Sequence, residues 1–210
     1  MTSNLVAKIN QLRAGEVCKL IAKRMREFKN LGSEDNKHWF SELCFCILTA
    51  NSTAKLGIKI QRELGADGFL TFSRRALTRA LRKAGHRFYN TRAQYIVEAR
   101  KFADIKAIIT RFEGTGQARD WLVKNVLGIG PKEASHFLRN VGYDDVAILD
   151  RHILSLMREH GLICRTPRTL GMKKYLTIES RLKELAKRVG VSLGELDLYL
   201  WYTKTGEVLK

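Results

Sequence analysis

The chain has 210 residues, with 38 lysines and arginines against 21 aspartates and glutamates, for a formal net charge of +17. Its 45% hydrophobic fraction is enough for a real core and excludes wholesale disorder. A surface so charged repels itself and attracts polyanions, so nucleic acid is the first partner to consider and an anionic membrane surface the competitor.

Met1–Asn10 lacks the apolar core and small-residue cleavage site of a secretory signal, so an intracellular protein is expected. With only two prolines, Pro131 and Pro167, most of the sequence repeats apolar residues at three- and four-residue spacing, which predicts helices. Ser3 to Phe28 reads as two amphipathic stretches separated by Gly15: Leu5, Ile9 and Leu12, then Val17, Leu20, Ile21, Met25 and Phe28. Trp39 to Ala50 is apolar on nearly every side and predicts a central buried helix. Its longest apolar run, Leu43–Ala50, falls far short of the ~20 residues that span a bilayer, so no membrane partner is expected. Basic amphipathic helices follow at Arg75–Ala84, Arg92–Phe102, Ile105–Phe112 and Ala118–Val126. The last third predicts helices at Lys132–Asn140, Arg151–His160, Lys173–Val189 and Leu193–Thr203. With no period-two runs and no internal repeat, the expectation is an all-α fold.

Cys44 and Cys46 stand two apart on a predicted helix and point to nearly opposite sides, while Cys18 and Cys164 are isolated. Reduced, mostly buried thiols are expected, with no zinc knuckle or other metal site. The positive charge is concentrated. Arg74 to Lys106 carries ten lysines and arginines and only Glu98 and Asp104 as acids. Solvated helix faces usually mix both signs, so this excess favours a polyanionic partner.

Val126 to Ala134, VLGIGPKEA, joins two predicted helices through a tight turn. Gly128 and Gly130 permit positive φ and close approach, Ile129 can anchor the turn in the core, and Pro131 suits the first turn of the next helix. The expected product is a turn with free N–H groups at a helix N-terminus, a geometry that binds phosphate without reading sequence. The turn, with the apolar helix Ala134 to Leu138 after it, resembles the helix-hairpin-helix motif of DNA-binding proteins. Lys132 follows the GxG turn, and Asp150 opens DRHIL eighteen residues later. This spacing resembles the helix-hairpin-helix superfamily of DNA glycosylases, whose catalytic pair is a lysine just after the turn and an aspartate about eighteen residues on. Asp150 also reads as an N-cap of its helix.

Glu133 to Tyr143, the following Asp144 to Leu154, the ending LDLYLWY at Leu196–Tyr202 and the terminal Lys210 narrow the match. Together with Trp39 and the Leu48–Asn51 segment, they resemble the archaeal-type 8-oxoguanine DNA glycosylase/AP lyase family over nearly the whole chain. The resemblance implies base excision from double-stranded DNA containing 8-oxoguanine, association with the chromosome and action as a monomer. It implies no cofactor: relatives in the superfamily hold an iron–sulfur site with four cysteines after the catalytic aspartate, and here that region has only Cys164.

The same resemblance assigns candidate roles. Lys132 would attack C1′ of a flipped-out nucleotide as a neutral amine, and Asp150 would stabilise positive charge on the sugar and assist proton transfer. A helix N-terminus among cations favours the neutral amine, whereas Asp150 favours the ammonium. Phe88 and Trp201 would flank the extruded base while Lys210 folds into the pocket. Trp201 also reads as core packing and Lys210 as a frayed tail. Asn51 would fill the gap left by the nucleotide, or serve as a helix break or N-cap for a helix beginning near Thr53. Arg87 and Arg92 would meet DNA as phosphate contacts or a wedge, beside the backbone grip of Gly128 and Gly130. A non-catalytic helix-hairpin-helix module and a related glycosylase for another damaged base are the alternatives. The expected architecture is two helical lobes, residues 39–130 and residues 1–38 plus 131–210, with the hairpin on the rim of a cleft that holds DNA.

Overall fold

A computed structural model describes residues 2–210. Among them are twelve α-helices and no strand: α1 Thr2–Arg13, α2 Val17–Ser33, α3 Asn36–Thr49, α4 Ala54–Thr71, α5 Arg74–Lys83, α6 Tyr89–Ala99, α7 Ile105–Ile109, α8 Thr115–Asn125, α9 Pro131–Asn140, α10 Arg151–Glu159, α11 Met172–Val189 and α12 Leu193–Thr205. The fold is all-α, as the apolar spacing predicts. No helix among the described residues is long and apolar enough to cross a membrane. All four thiols are unpaired; Cys44 and Cys46 are buried, Cys18 half-buried and Cys164 exposed. Half of them rather than most are therefore buried, because Cys18 and Cys164 stand outside the enclosed helix α3.

Helix α3 organises the molecule. The Asp35 side chain accepts the His38 amide at 3.0 Å to start it, and every residue from Trp39 to Thr49 is buried. Helix α4, whose extent the sequence pattern did not delimit, begins at Thr53, whose hydroxyl accepts the Leu56 amide at 3.2 Å. It packs closely on α3 because position 57 is glycine: a Cβ there would lie 2.9 Å from the Phe45 ring. On α5, only Leu77 and Leu81 are buried, so the arginines and the lysine of that helix face solvent.

Buried apolar side chains form two clusters. The first centres on α3 and gathers residues from Trp39 through Val126 and Ile129 to Ala134, Phe137, Leu138, Val141 and Val146. The second joins α1 and α2 to Ala147, Leu149 and helices α10, α11 and α12. The apolar face of α9 therefore belongs with α3 and α8, and the clusters change hands between Val146 and Ala147. The sequence pattern drew its boundary at Gly130.

Buried ionic contacts cross between the clusters. Arg119 of α8 makes a two-pronged contact with Glu179 of α11, at 2.8 and 2.9 Å, and also donates to Ser135 of α9. Burial works against the charge on Arg119, but the hydrogen bonds and charge of Glu179 outweigh it and hold its pKa above the usual value. Arg139 of α9 meets Asp197 of α12 at 2.5 Å. These contacts tie α8 and α9, at whose start Lys132 stands, to the second core, which holds α10 behind its N-cap Asp150.

Candidate active site

At the hairpin, the chain leaves α8 with Val126 and Ile129 buried and Leu127 half-exposed. Gly128 has φ 82°, and a Cβ at this position would meet the Tyr95 ring at 2.5 Å, so the turn needs glycine there. Gly130 differs from the expectation. Its backbone is extended, it precedes the first residue of α9, and its N–H donates to Glu133 Oε2 at 3.2 Å. That amide is consequently occupied by the protein's own carboxylate. Pro131 opens α9, as its fixed φ favours, and Lys132 follows with its side chain about one quarter exposed. Lys132 Nζ lies 3.1 Å from Glu133 Oε1, so one carboxylate holds both the turn and the lysine.

Asp150 is the N-cap of α10, its Oδ1 accepting the Ile153 amide at 2.8 Å. The segment leading to it is pinned at three successive amides. Ala147 N–H donates to Glu179 Oε1 (2.9 Å), Ile148 N–H to Asp197 Oδ1 (3.3 Å) and Leu149 N–H to the Tyr175 hydroxyl (3.2 Å). The Tyr175 hydroxyl in turn donates to the Ala147 carbonyl. Each of these partners is buried, so the backbone that aims Asp150 is fixed from beneath.

Lys132 and Asp150 open onto one pocket of about 760 Å³, whose lining also includes Trp201, Lys210, Asn51 and Arg87. Trp201 is half-buried, unlike its fully buried neighbours Leu196 and Leu200, and His152 stands edge-on to its ring at 5.1 Å. Asn51 takes φ 58° between α3 and α4, making it a helix break, while the N-cap of α4 is Thr53. The tail that the sequence also allowed to fray is tied down: Lys210 Nζ donates to Glu42 Oε2 at 2.7 Å.

Phe88, Arg92 and Gly128 line an adjoining hollow of about 490 Å³, which shares Asn51 and Glu133 with the pocket. The Arg87 guanidinium lies 4.4 Å from the Phe88 ring centroid. Arg92 is 6% exposed, and its Nη2 donates to the Ala50 carbonyl at 2.6 Å. Arg92, expected as a phosphate contact or a wedge, thus braces the end of α3 through this bond while lining the hollow. Exposed cations at the pocket are Lys55, Arg87 and Arg151.

A sequence model of 8-oxoguanine DNA glycosylases matches residues 21–191. The chain belongs to this family. It is 55% identical to the 8-oxoguanine DNA glycosylase/AP lyase of Methanocaldococcus jannaschii, covering 98% of this chain and 99% of that one. It is 48% identical to the protein of the same description from Korarchaeum cryptofilum, with 99% and 98% covered. The M. jannaschii 8-oxoguanine glycosylase/lyase, solved with a 15mer DNA containing 8-oxoguanine, superposes with a TM-score of 0.96 at 54% identity, over 98% of this chain and 99% of that chain.

In this family member, several residues that support the site escape sequence reasoning. Glu133, three residues after the N-cap, carries the pattern of a self-capping helix start, which could have found it. Glu42 is a carboxylate in the middle of an all-round apolar helix, a placement that demands a partner. His136 lines the pocket with both ring nitrogens buried and unpartnered. Burial, with Arg139, Lys132 and Lys210 nearby, drives its pKa well below the usual histidine value. Burial pushes Asp197 up to about 6, against the pull of Arg139. Buried His86 holds the Gly85–Phe88 loop: its Nε2 meets the Leu48 carbonyl at 2.9 Å and its Nδ1 accepts the Phe88 amide at 3.1 Å.

Proposed function

We propose that this chain is a bifunctional 8-oxoguanine DNA glycosylase/AP lyase, with Lys132 as nucleophile and Asp150 as its acidic partner. One observation carries the reading: on an Ogg-family fold, the lysine at the start of α9 and the aspartate capping α10 open onto a single pocket with Trp201 and Lys210. The pocket is complete within one chain, which supports action as a monomer. The protein searches double-stranded DNA and associates with the chromosome. Its excess charge gives a sequence-indifferent, salt-sensitive grip, to which Arg87, Arg151 and the hairpin at Gly128 contribute near the site, with Gly130 held by Glu133 to shape the turn.

A base inside the duplex is out of reach, so the nucleotide turns into the pocket and Asn51 occupies the gap beside its orphaned partner. Trp201 offers a stacking face. Phe88 completes the stack by crossing from the adjoining hollow, while Lys210 closes the pocket. Lys132 loses a proton and its amine attacks C1′. The bond from C1′ to the base breaks, its electron pair leaving with the base, which takes up a proton. The Asp150 carboxylate stabilises positive charge on the sugar during this step. Opening of the ring at O4′ then gives a Schiff base. Loss of a C2′ proton drives elimination of the 3′-phosphate, and hydrolysis frees Lys132.

The test is borohydride trapping on a duplex with a single 8-oxoguanine, alongside a panel of other single lesions. A covalent protein–DNA band is expected with the wild type and none with Lys132→Gln. Absence of a wild-type band, an undiminished Lys132→Gln band, or faster release of another damaged base would each overturn the reading.

A further inference from the structure

The last residue of the chain is held by a buried carboxylate. Glu42, on α3, is 1% exposed, and its Oε2 accepts from Lys210 Nζ at 2.7 Å. The same ammonium donates to Gln61 Oε1 of α4 and lies 4.2 Å from the Phe45 ring centroid. Gln61 Nε2 in turn donates to Glu42 Oε2 at 3.1 Å and to the Ser41 carbonyl at 3.1 Å. Glu42 Oε1 accepts from Asn140 Nδ2 at 2.6 Å. Among the described residues Lys210 is the only cation within ion-pair distance of Glu42.

Two physical consequences follow. A carboxylate so deeply placed is strongly unfavourable without its cation, so α3 provides a receptor for the terminal lysine. With that ammonium occupied, the part of Lys210 left to face the pocket is its main chain, next to His136. A second contact, Lys55 Nζ to Glu207 Oε1 at 2.5 Å, fastens the same tail to the start of α4.

We propose that Glu42, supported by Gln61 and Phe45, is a positioning residue for base selection. It fixes the end of the chain at the pocket, so release of the base depends on it. Cleavage at an abasic site does not, because there is no base to seat, and Lys132 and Asp150 have their own anchors in Glu133 and the Ile153 amide. The inference rests on the glycosylase/lyase reading above.

The experiment compares single-turnover rates on two duplexes, one containing 8-oxoguanine and one a preformed abasic site. Glu42→Gln keeps an oxygen for Asn140 and puts an uncharged amide donor in place of the oxygen that accepts from Lys210 and Gln61. It is expected to slow base release roughly 30- to 100-fold, the scale of a misplacement of about 1 Å, while abasic cleavage stays within about 3-fold. Glu42→Asp should recover part of the loss. The pair Glu42→Gln with Lys210→Gln should release base no more slowly than Glu42→Gln alone. Wild-type release by Glu42→Gln, equal loss of both reactions, or multiplying losses in the pair would overturn the proposal. If Glu42→Gln fails to fold, Gln61→Met takes its place with the same criterion. A wild-type protein that cannot release 8-oxoguanine would instead overturn the functional reading.

Discussion

Lys132 and Glu133 are adjacent in sequence and joined in space: Lys132 Nζ lies 3.1 Å from Glu133 Oε1, while the other carboxylate oxygen holds the Gly130 amide at 3.2 Å. Lys132 and the turn that presents it are therefore set by one side chain. Glu133→Gln keeps an acceptor for Gly130 and loses the anion, whereas Glu133→Ala loses both. Glu133→Ala should lower stability by about 0.5–2 kcal/mol, the range for a lost helix cap, and Glu133→Gln by much less. Both should trap DNA more slowly than the wild type, since neither holds Lys132 in place. Melting curves beside borohydride trapping rates check this, and wild-type trapping by Glu133→Ala would remove the positioning role.

Asp150 combines an N-cap with an expected part in the chemistry, and two substitutions separate them. Asn is as good a cap as Asp, so Asp150→Asn should melt close to the wild type yet lose most base release, because the charge opposite the developing cation is gone. Asp150→Ala should lose the same activity and about 1 kcal/mol of stability as well. Near-normal turnover by Asp150→Asn would leave the residue with capping alone.

How much of this was legible in the sequence depended on whether the signal was local. Helix periodicity, the Gly–Pro turn and the eighteen-residue step from Lys132 to Asp150 are properties of short segments, and they led to the fold class and to the pair that shares a pocket. The sequence pattern does not delimit helix α4, because glycines at 57, 65 and 68 dilute its apolar spacing and the helix is interrupted at Gly65, where φ is 62°. Supporting residues were hidden for another reason. Arg92 finds its carbonyl 42 positions away, Asn140 finds Glu42 at 98, and Lys210 finds Glu42 at 168. No periodicity reports such pairings. Within its basic stretch Arg92 reads as one more surface cation, and only the fold shows that it is buried and braces the end of α3.

His136 predicts an acid limb in stability. Its folded pKa is depressed by burial and by neighbouring cations, whereas in the unfolded chain it titrates near 6.5. Below that value the unfolded state binds the proton and the folded state does not, so stability falls as pH falls. The slope is about 1.4 kcal/mol per pH unit until the folded pKa is reached. Above pH 6.5 this contribution is constant. Asp197, raised by burial, has the opposite sign, so the difference between wild type and His136→Asn isolates the histidine. Denaturant melts between pH 5 and 8 should show a shallower acid slope for His136→Asn. Identical slopes would mean that the imidazole accepts its proton in the fold.

Trp201 is half-buried, with its ring against His152 and the pocket, whereas Leu196, Tyr199 and Leu200 on the same helix form the core. Trp201→Leu should therefore leave the melting temperature nearly unchanged and weaken binding of lesion duplex by ~1–3 kcal/mol, the worth of one stacked base. Undamaged duplex, which offers no flipped base, should bind equally to both proteins. Equal loss on the two duplexes would assign Trp201 to general packing.

Arg119 and Glu179 join α8 to α11 at 4% and 1% side-chain exposure, and Glu179 Oε1 also accepts the Ala147 amide three residues before Asp150. Removing one partner strands a buried charge, so Arg119→Met and Glu179→Gln should each cost ~3–5 kcal/mol. The two do not cost the same function. Arg119→Met leaves Glu179 to hold Ala147, whereas Glu179→Gln weakens the acceptor that aims the Asp150 segment. At temperatures where both variants are folded, Glu179→Gln should show the larger fall in base release relative to its stability loss. Pairing the substitutions should cost much less stability than their sum, because the double variant buries no lone charge. A fully additive loss would show that Arg119 and Glu179 act independently and that their contact does not tie the two cores together.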